Sequence, residues 1–553
     1  MADIKITMPS GKIKTYPSGI LVSDIFKDEE FNNLKFPIVA AMINNDTASL
    51  SYRVEVNSSV EPLTVEHREG MNIYRRSLCF LLTIAAKEVL PDKRLVIGHS
   101  LGRSYFYYFE GIEGIPEEYI IKIREKMNEL VKRNMPVTRE VISYLEALDY
   151  FQNNNQPDTA LLLANRNDPK IPVYRCGNFI DLAHAPLVQN TGILDVYEIR
   201  NYPPGFLLGY PSFGQPKTML PFQKNPVLFS IYREYKNWGK ILNVNCVGLL
   251  NELNRKGEMK QFIQVAEALQ NKKIAQIADK ITEKRDDIKI VLIAGPSSSG
   301  KTTFSKKLAI QLKVCGRNPA TISLDNYFLS RDKTPKAKNG EYDFEALEAL
   351  DIELLNKHLV MLMHGKEILI PDFDFHKGER KPAGKPFRLP KRGILIMEGI
   401  HGLNDNLTPL IERGRKYKIY VSALTQLNLD DHNRISTTDN RLIRRIVRDA
   451  RYRGHTAITT LKMWPSVRKG EYRNIFPFQN SSDSAFNSAL DYELAVLKVY
   501  AEPLLRTVKP DEKEYFEARR LLSFLNNFAP LPPNWVPSQS ILREFIGGSA
   551  FKY

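Results

Sequence analysis

The stretch Gly295-Pro296-Ser297-Ser298-Ser299-Gly300-Lys301-Thr302 constrains this chain more than any other, because it fits the pattern G-x-x-x-x-G-K-[ST]. Ahead of it runs Ile288-Lys289-Ile290-Val291-Leu292-Ile293-Ala294, nearly all apolar, as a parallel strand buried on both faces should be. Behind it Phe304, Leu308, Leu312 and Cys315 recur about one helical turn apart, and Gly316 supplies a C-terminal stop. A strand, a glycine-bounded loop and a helix in that order aim several backbone N–H groups and a helix dipole at one point. Such a point suits the phosphates of a nucleotide such as ATP. Gly295, Ser297, Ser298, Ser299, Gly300, Lys301, Thr302 and Thr303 form the expected cradle, with Lys301 on the β/γ oxygens and Thr302 on Mg²⁺.

A chain of 553 residues has room for roughly three or four domains. Its net charge of +15 favours an anionic partner, either nucleotide phosphates or RNA. Cys79, Cys176, Cys246 and Cys315 are far apart and form no C-x-x-C pair. That disfavours a disulfide scaffold and a cysteine zinc site, and fits a reducing cytosol. The start of the chain has no basic stretch leading into an apolar core, and no uncharged run reaches the roughly 18 residues of a membrane helix. The expectation is a cytoplasmic protein with no membrane contact.

Taken in order, residues 1–62 read as a small β-rich module. Ile4-Lys5-Ile6-Thr7-Met8 and Lys12-Ile13-Lys14-Thr15-Tyr16 flank a Pro9-Ser10-Gly11 turn, and Ile38 to Asn44 forms a further strand. With Val65-Glu66 and Ile73 to Ser77, this pattern resembles the TGS domain at the head of threonyl-tRNA synthetases. Residues 63–225 resemble the same enzymes' editing-type domain, through an apolar helix over Ser77 to Val89 and the segments Leu90–Gly98 and Tyr105–Phe109. In that family an H-S-x-x-H-type pair and a D-L-C-x-G-P-H segment make a hydrolytic site. Here Arg76 and Phe80 replace the pair, and Asp181-Leu182-Ala183-His184-Ala185-Pro186-Leu187 replaces the segment, with Ala183 and Leu187 at the cysteine and histidine positions. Phe80 and Leu187 can neither exchange protons nor ligate a metal, so the resemblance implies a retained fold without hydrolysis. Cys176 and His184 are expected to serve packing alone. Residues 226–285 read as a helical connector whose charges form a solvated face.

From the phosphate-cradling motif onward, strands alternate with helices, which argues for a doubly wound α/β domain. Asp325 stands at the end of the strand Ala320–Leu324, and Glu398 ends the strand Gly393–Met397. Ligands of such sheets lie outside the carboxyl ends of the strands, so both carboxylates are placed to bind Mg²⁺ or to accept a proton. Five ordered segments carry a second resemblance: Ser323 to Phe328, Glu341 to Glu345, Pro371 to Phe375, Met397 to Ile400 and Arg441 to Gly454. Together they look like the motifs of uridine–cytidine kinases and phosphoribulokinases over about 288 to 465. The resemblance implies Asp325 and Lys301 as catalytic groups, with Asp325 the base on a ribose 5′-hydroxyl. It implies Thr302, Glu398 and Asp325 around Mg²⁺, a lid of Arg445, Arg448 and Arg453, and substrate contacts from Tyr342, Glu345, Phe373, Asp374, Arg380 and Arg448.

The departures fall on base recognition. Phe373 and Gly378 stand where uridine kinases usually have an aromatic hydroxyl and a histidine, although His376 is close. Glu345 replaces an aspartate that grips the ribose, and His455 replaces a lid arginine. After 466 the chain reads as helical, from Ser484 to Leu505 and from Tyr515 to Phe524, and is expected to cover the 286–465 kinase core or to make a homo-oligomer contact. The fold class implied is multidomain α/β and α+β: a TGS-like module, an α+β synthetase-like domain, a connector, a doubly wound kinase domain and a helical C-terminal region, 466–553. The activity implied is ATP-dependent phosphorylation of a nucleoside 5′-hydroxyl, with an inactive synthetase-like half. Two alternatives stand beside it: an RNA-binding or regulatory protein, contacting tRNA through its N-terminal half, that uses the motif as a nucleotide sensor, and a kinase of a non-nucleoside hydroxyl.

Overall fold

The apolar strand ahead of the phosphate-binding motif forms as Ile290–Ala294 (β1), buried at every position. The computed structural model describes residues 3–552 apart from 113, 284–286, 337–339, 341, 375–378 and 382–383, and leaves out the side chains at 240 and 374. Around β1 lie Asn318–Ser323 (β2), Gly393–Glu398 (β3), Lys416–Ser422 (β4) and Ser484–Asn487 (β5). The sheet order is β2-β3-β1-β4-β5 and every pairing is parallel. The helix after the motif is Lys301–Val314 (α1), and Gly316 follows at φ +76° in the left-handed region that favours glycine.

Register places the functional strand ends together. Glu398 of β3 pairs with Ser323 on one side and Ile293 on the other, so Asp325, Glu398 and the phosphate-binding loop open on one edge of the sheet. Gly295 is required by close approach, since a Cβ there would sit 1.9 Å from the Val421 carbonyl oxygen. The helix expected from Ser484 begins later, at Glu493. Ser484–Asn487 is instead the fifth strand of this parallel sheet, because Phe486 buries fully and stacks on Phe304 of α1 at 4.5 Å between ring centroids. The sheet therefore draws on residues beyond 465.

Toward the N-terminus, Asp3–Thr7 and Ile13–Pro17 form the expected hairpin, within a five-stranded sheet that also holds Ser58–Thr64, Ile38–Ile43 and Asp46–Ala48. The helix Arg68–Val89 follows, with Ile73, Leu78, Leu81 and Ala85 buried at helical spacing. Beyond it stand a four-stranded sheet that includes Leu95–Leu101 and Ser104–Phe109, and a three-stranded sheet of Thr138–Ser143, Lys170–Cys176 and Phe179–Leu182.

The connector is helical over Pro226–Leu242, Val247–Lys256 and Met259–Glu283, yet its charges are not all solvated as expected. Glu267 is buried, accepting a hydrogen bond from the Tyr492 hydroxyl at 2.7 Å and facing Lys307 at 3.9 Å. One apolar cluster runs from Phe151 and Val173 through Ile263 and Ile277 to Ile293, Leu521 and Phe545. The synthetase-like half, the connector and the parallel sheet thus share a core, and burial of that scale resists their separation. Among the described residues no helix is long and apolar enough to cross a membrane.

Candidate active site

The loop after β1 turns through Ser298 at φ +58° and Gly300 at φ +78°, delivering Lys301 to the first turn of α1. Thr302 Oγ1 donates to Glu398 Oε1 at 3.0 Å. Asp325 is exposed, yet protein mass gathers round its carboxyl, and that desolvation raises the pKa against the pull of Lys301 and Arg453. Glu398 is raised as well, first by desolvation, with Lys301 opposing and Asp325 and Glu544 adding repulsion. Glu345 follows the same pattern, desolvation first and the Glu471 charge next, with Arg445 and Lys301 opposing. Lys301 therefore stands among three carboxylates whose negative charge is crowded, an arrangement that typifies sites which move protons or hold hard cations.

Thr302 Oγ1, Glu398 and Asp325 offer oxygen donors only. Among the described residues no three His, Cys, Asp or Glu side chains converge as a metal cage. One or two carboxylates with a hydroxyl fit Mg²⁺, which shares its shell with water and substrate phosphates, and that ion would supply charge neutralisation on the phosphoryl oxygens.

Residues 290–494 match the Phosphoribulokinase / Uridine kinase family. In the N-terminal part the chain is 32% identical over 199 residues to threonine–tRNA ligase of Streptococcus agalactiae serotype Ia, a match that covers 36% of this chain and 30% of the ligase. The ligase of Streptococcus pyogenes serotype M5 is 29% identical over the same shares of each chain. The chain thus spans under a third of the length of these curated relatives. Among solved structures, a possible uridine kinase from Bacillus stearothermophilus is 15% identical with a TM-score of 0.25, over 36% of this chain and 89% of that one.

Within residues 290–494, the helix Thr437–Tyr452 (α2), whose arginines are expected as a lid, makes direct contact with the phosphate-binding loop. Arg441, Arg444, Arg445 and Arg448 follow i, i+3, i+4, i+7 spacing and share one face. Arg441 Nε donates to the Ser297 carbonyl at 3.0 Å and pairs with Glu471, whose carboxylate accepts the Ser297 N–H at 3.0 Å. Arg444 donates to the Ser298 carbonyl at 3.3 Å and pairs with Glu493 at 2.5 Å, while Arg445 Nη1 donates to Ser297 Oγ at 2.7 Å. Arg441 and Arg444 are buried completely enough that only these paired partners make their charges tolerable. They brace the phosphate-binding loop from behind.

The expected lid trio converges on a single buried carboxylate. Asp449 pairs with Arg445 at 3.1 Å and Arg448 at 2.7 Å, and lies 3.7 Å from Arg453. Arg445 and Arg448 are therefore already paired, and Arg453 is the most exposed of the three. The sequence shows these arginines and the i,i+4 spacing of Arg445 and Arg453 to Asp449, but Glu471 and Glu493 lie 30 and 49 residues from their partners and carry no signature of the contact.

The expected substrate contacts divide. Glu345 lines the Lys301 cluster and is backed by Gly470, where a Cβ would meet Glu345 Oε2 at 2.9 Å. Arg380 is engaged by the fold instead. Its three nitrogens donate to the Phe328 carbonyl, the Asp351 carboxylate and the Tyr327 carbonyl, all within 3.0 Å. It fixes the segment that follows Asp325. Phe373 packs on Phe328 with centroids 5.8 Å apart, and Tyr342 is exposed beside Phe344 at 6.0 Å. Glu341, Phe375, His376, Gly378 and the Asp374 side chain lie outside the described residues.

In the synthetase-like half, Phe80 and Leu187 sit in one apolar cluster with Cys176, and Phe80 packs edge-on to Phe179 at 5.3 Å. His184, expected to pack only, instead bonds Asp430 Oδ2 through Nε2 at 2.6 Å, and Asp181 bonds His432 Nδ1 at 3.0 Å. Asp430 and His432 belong to the segment that joins β4 to α2. That segment is gripped further by Arg94, which pairs with Asp431 at 2.7 Å, and by Thr159, whose N–H and hydroxyl both reach Asp431.

Proposed function

We propose that the chain is an ATP-dependent kinase that transfers the γ-phosphate to the 5′-hydroxyl of a nucleoside, and that its synthetase-like half is catalytically inactive. The observation that carries this reading is Asp325 with Lys301 and Glu398 at one edge of a parallel sheet, beside a braced phosphate-binding loop. The loop amides and Lys301 hold the phosphates of ATP, and Asp325 accepts the proton of the attacking hydroxyl. Its raised pKa brings the carboxylate nearer the range in which a base works well at neutral pH. The bond from the acceptor oxygen to the γ-phosphorus forms as the bond to the ADP oxygen breaks, in line, with positioning and electrostatics supplying the rate. Lys301 and Arg453 face the charge that spreads over the phosphoryl group. Mg²⁺ bound by Thr302 and Glu398 belongs to this reading, as does a cytoplasmic location.

Asp325→Asn is expected to lower kcat by about 10²–10⁴-fold while leaving nucleotide affinity within about twofold. Turnover at the wild-type rate would remove Asp325 from the base role. A nucleoside lacking the 5′-hydroxyl is expected to give no ADP.

The similarity to threonine–tRNA ligases favours a second reading, in which the N-terminal half contacts tRNA and the kinase cleft reports nucleotide. The net charge of +15 supports it. Steeply salt-dependent tRNA binding by the full chain would favour this reading. The inactive-pocket proposal rests on Phe80 and Leu187 in their apolar cluster.

A further inference from the structure

The C-terminal segment Ser540–Gly547 lies against the mouth of the phosphate-binding loop, and its contacts there are specific. Ile541 fills the space beside Gly300, where an added Cβ would stand 2.5 Å from Ile541 Cγ2. Glu544 Oε2 accepts the Thr303 backbone N–H at 3.1 Å and the Thr303 hydroxyl at 2.7 Å. First-turn N–H groups of a helix after such a loop are the donors that phosphate oxygens take. A carboxylate oxygen and a phosphate oxygen carry the same sign of charge and accept the same hydrogen bonds. Ser298 Oγ and Ser299 Oγ, in the same loop, are buried without a hydrogen-bond partner among the described residues.

We propose that the Glu544 carboxylate is a built-in phosphate mimic, which a nucleoside di- or triphosphate must displace from Thr303 in order to bind. The inference rests on the phosphate-binding reading of the loop. The backbone of the segment stays in place while the side chain swings, because Ile541, Leu542, Phe545 and Ile546 are buried in the main core and Arg444 lies over the Phe545 ring at 4.9 Å. The Lys307 ammonium adds a tie to the Gln539 carbonyl at 3.2 Å. Glu398 and Glu544 repel each other across the same mouth, so a second acidic group arriving there meets both. The C-terminal segment thereby sets how tightly the cleft takes nucleotide.

The test is equilibrium binding of MgADP, MgATP and inorganic pyrophosphate to the full-length chain, to Glu544→Gln and to Glu544→Asp, with Lys301→Ala as reference. Removing the charge is expected to tighten MgADP and MgATP about tenfold, the equivalent of about 1.4 kcal/mol. The shorter aspartate is expected to give a smaller gain, and it preserves the charge should the glutamine variant fold poorly. Equal or weaker nucleotide binding by both variants, with binding still lost in Lys301→Ala, would overturn the role of Glu544 alone. Failure of wild type and variants to bind any of the three probes would overturn the phosphate-binding reading together with it.

Discussion

Two sets of acidic side chains in this molecule use the same residue types to opposite ends. Between the synthetase-like half and the segment ahead of α2, every carboxylate has a partner: Asp430 holds His184 and Asn433, Asp181 holds His432, and Asp431 and Asp158 share Arg94. At the mouth of the phosphate-binding loop, Asp325, Glu345 and Glu398 crowd one another round Lys301, and desolvation by the protein around them raises all three, although Asp325 itself is exposed. Paired charge out of water serves as a clamp; crowded charge that Lys301, Arg445 and Arg453 only partly offset stores an unfavourable interaction that a ligand or a proton relieves. The clamp takes Asp181 and His184 of the synthetase-like half and directs them at the segment ahead of α2.

The contrast can be broken from either side. Lys301→Ala is expected to abolish phosphoryl transfer, by at least about 10³-fold, with the melting temperature nearly unchanged; retained turnover in an ADP-release assay would place the chemistry elsewhere. Arg94→Leu should do the reverse. It removes the cation that Asp431 and Asp158 share, leaving Asp431 its Thr159 hydrogen bonds alone, and is expected to cost about 3–5 kcal/mol in denaturant unfolding, while the protein that remains folded keeps its nucleotide affinity. A smaller effect belongs to Asp491, which lies beside a small cavity lined by Trp238, Gln270 and Asn487, where burial and then Glu493 push its pKa up from 3.8 to about 7. Because the folded-state value is the higher one, its contribution to stability is fully present below pH 3.8 and is lost as pH rises through about 7. Asp491→Asn should therefore be more stable than wild type at pH 8, on the order of 2 kcal/mol, and the gap should close toward pH 4. An equal gap at both values would show that the Asp491 charge is not its source.

The elements that frame the candidate site are legible in local sequence pattern. The β1 run, the Gly295–Thr302 loop and the strand-end acids Asp325 and Glu398 are consecutive in sequence or fixed by sheet geometry, so their meeting follows from topology alone. The fifth strand escaped because Ser484–Asn487 is too short to show alternation and adjoins a helix rich in leucine and alanine. The bonds of Arg380 to the Phe328 and Tyr327 carbonyls and to Asp351 could not be read from the sequence, because two of the three go to main-chain groups that every residue owns and no motif records. The partners of Arg441, Arg444 and His184 lie between 30 and 246 residues away, at distances where charge pattern conveys nothing about contact. Glu544 was invisible for the same reason: only the path of the C-terminal segment brings it to Thr303.

The central claim is tested most directly by incubating the purified full chain with Mg-ATP and a panel of nucleosides, following ADP release and identifying products by mass. The account predicts a 5′-monophosphate from at least one nucleoside, absent with Asp325→Asn. Tight ATP binding with no phosphorylated nucleoside from any member of the panel would contradict it.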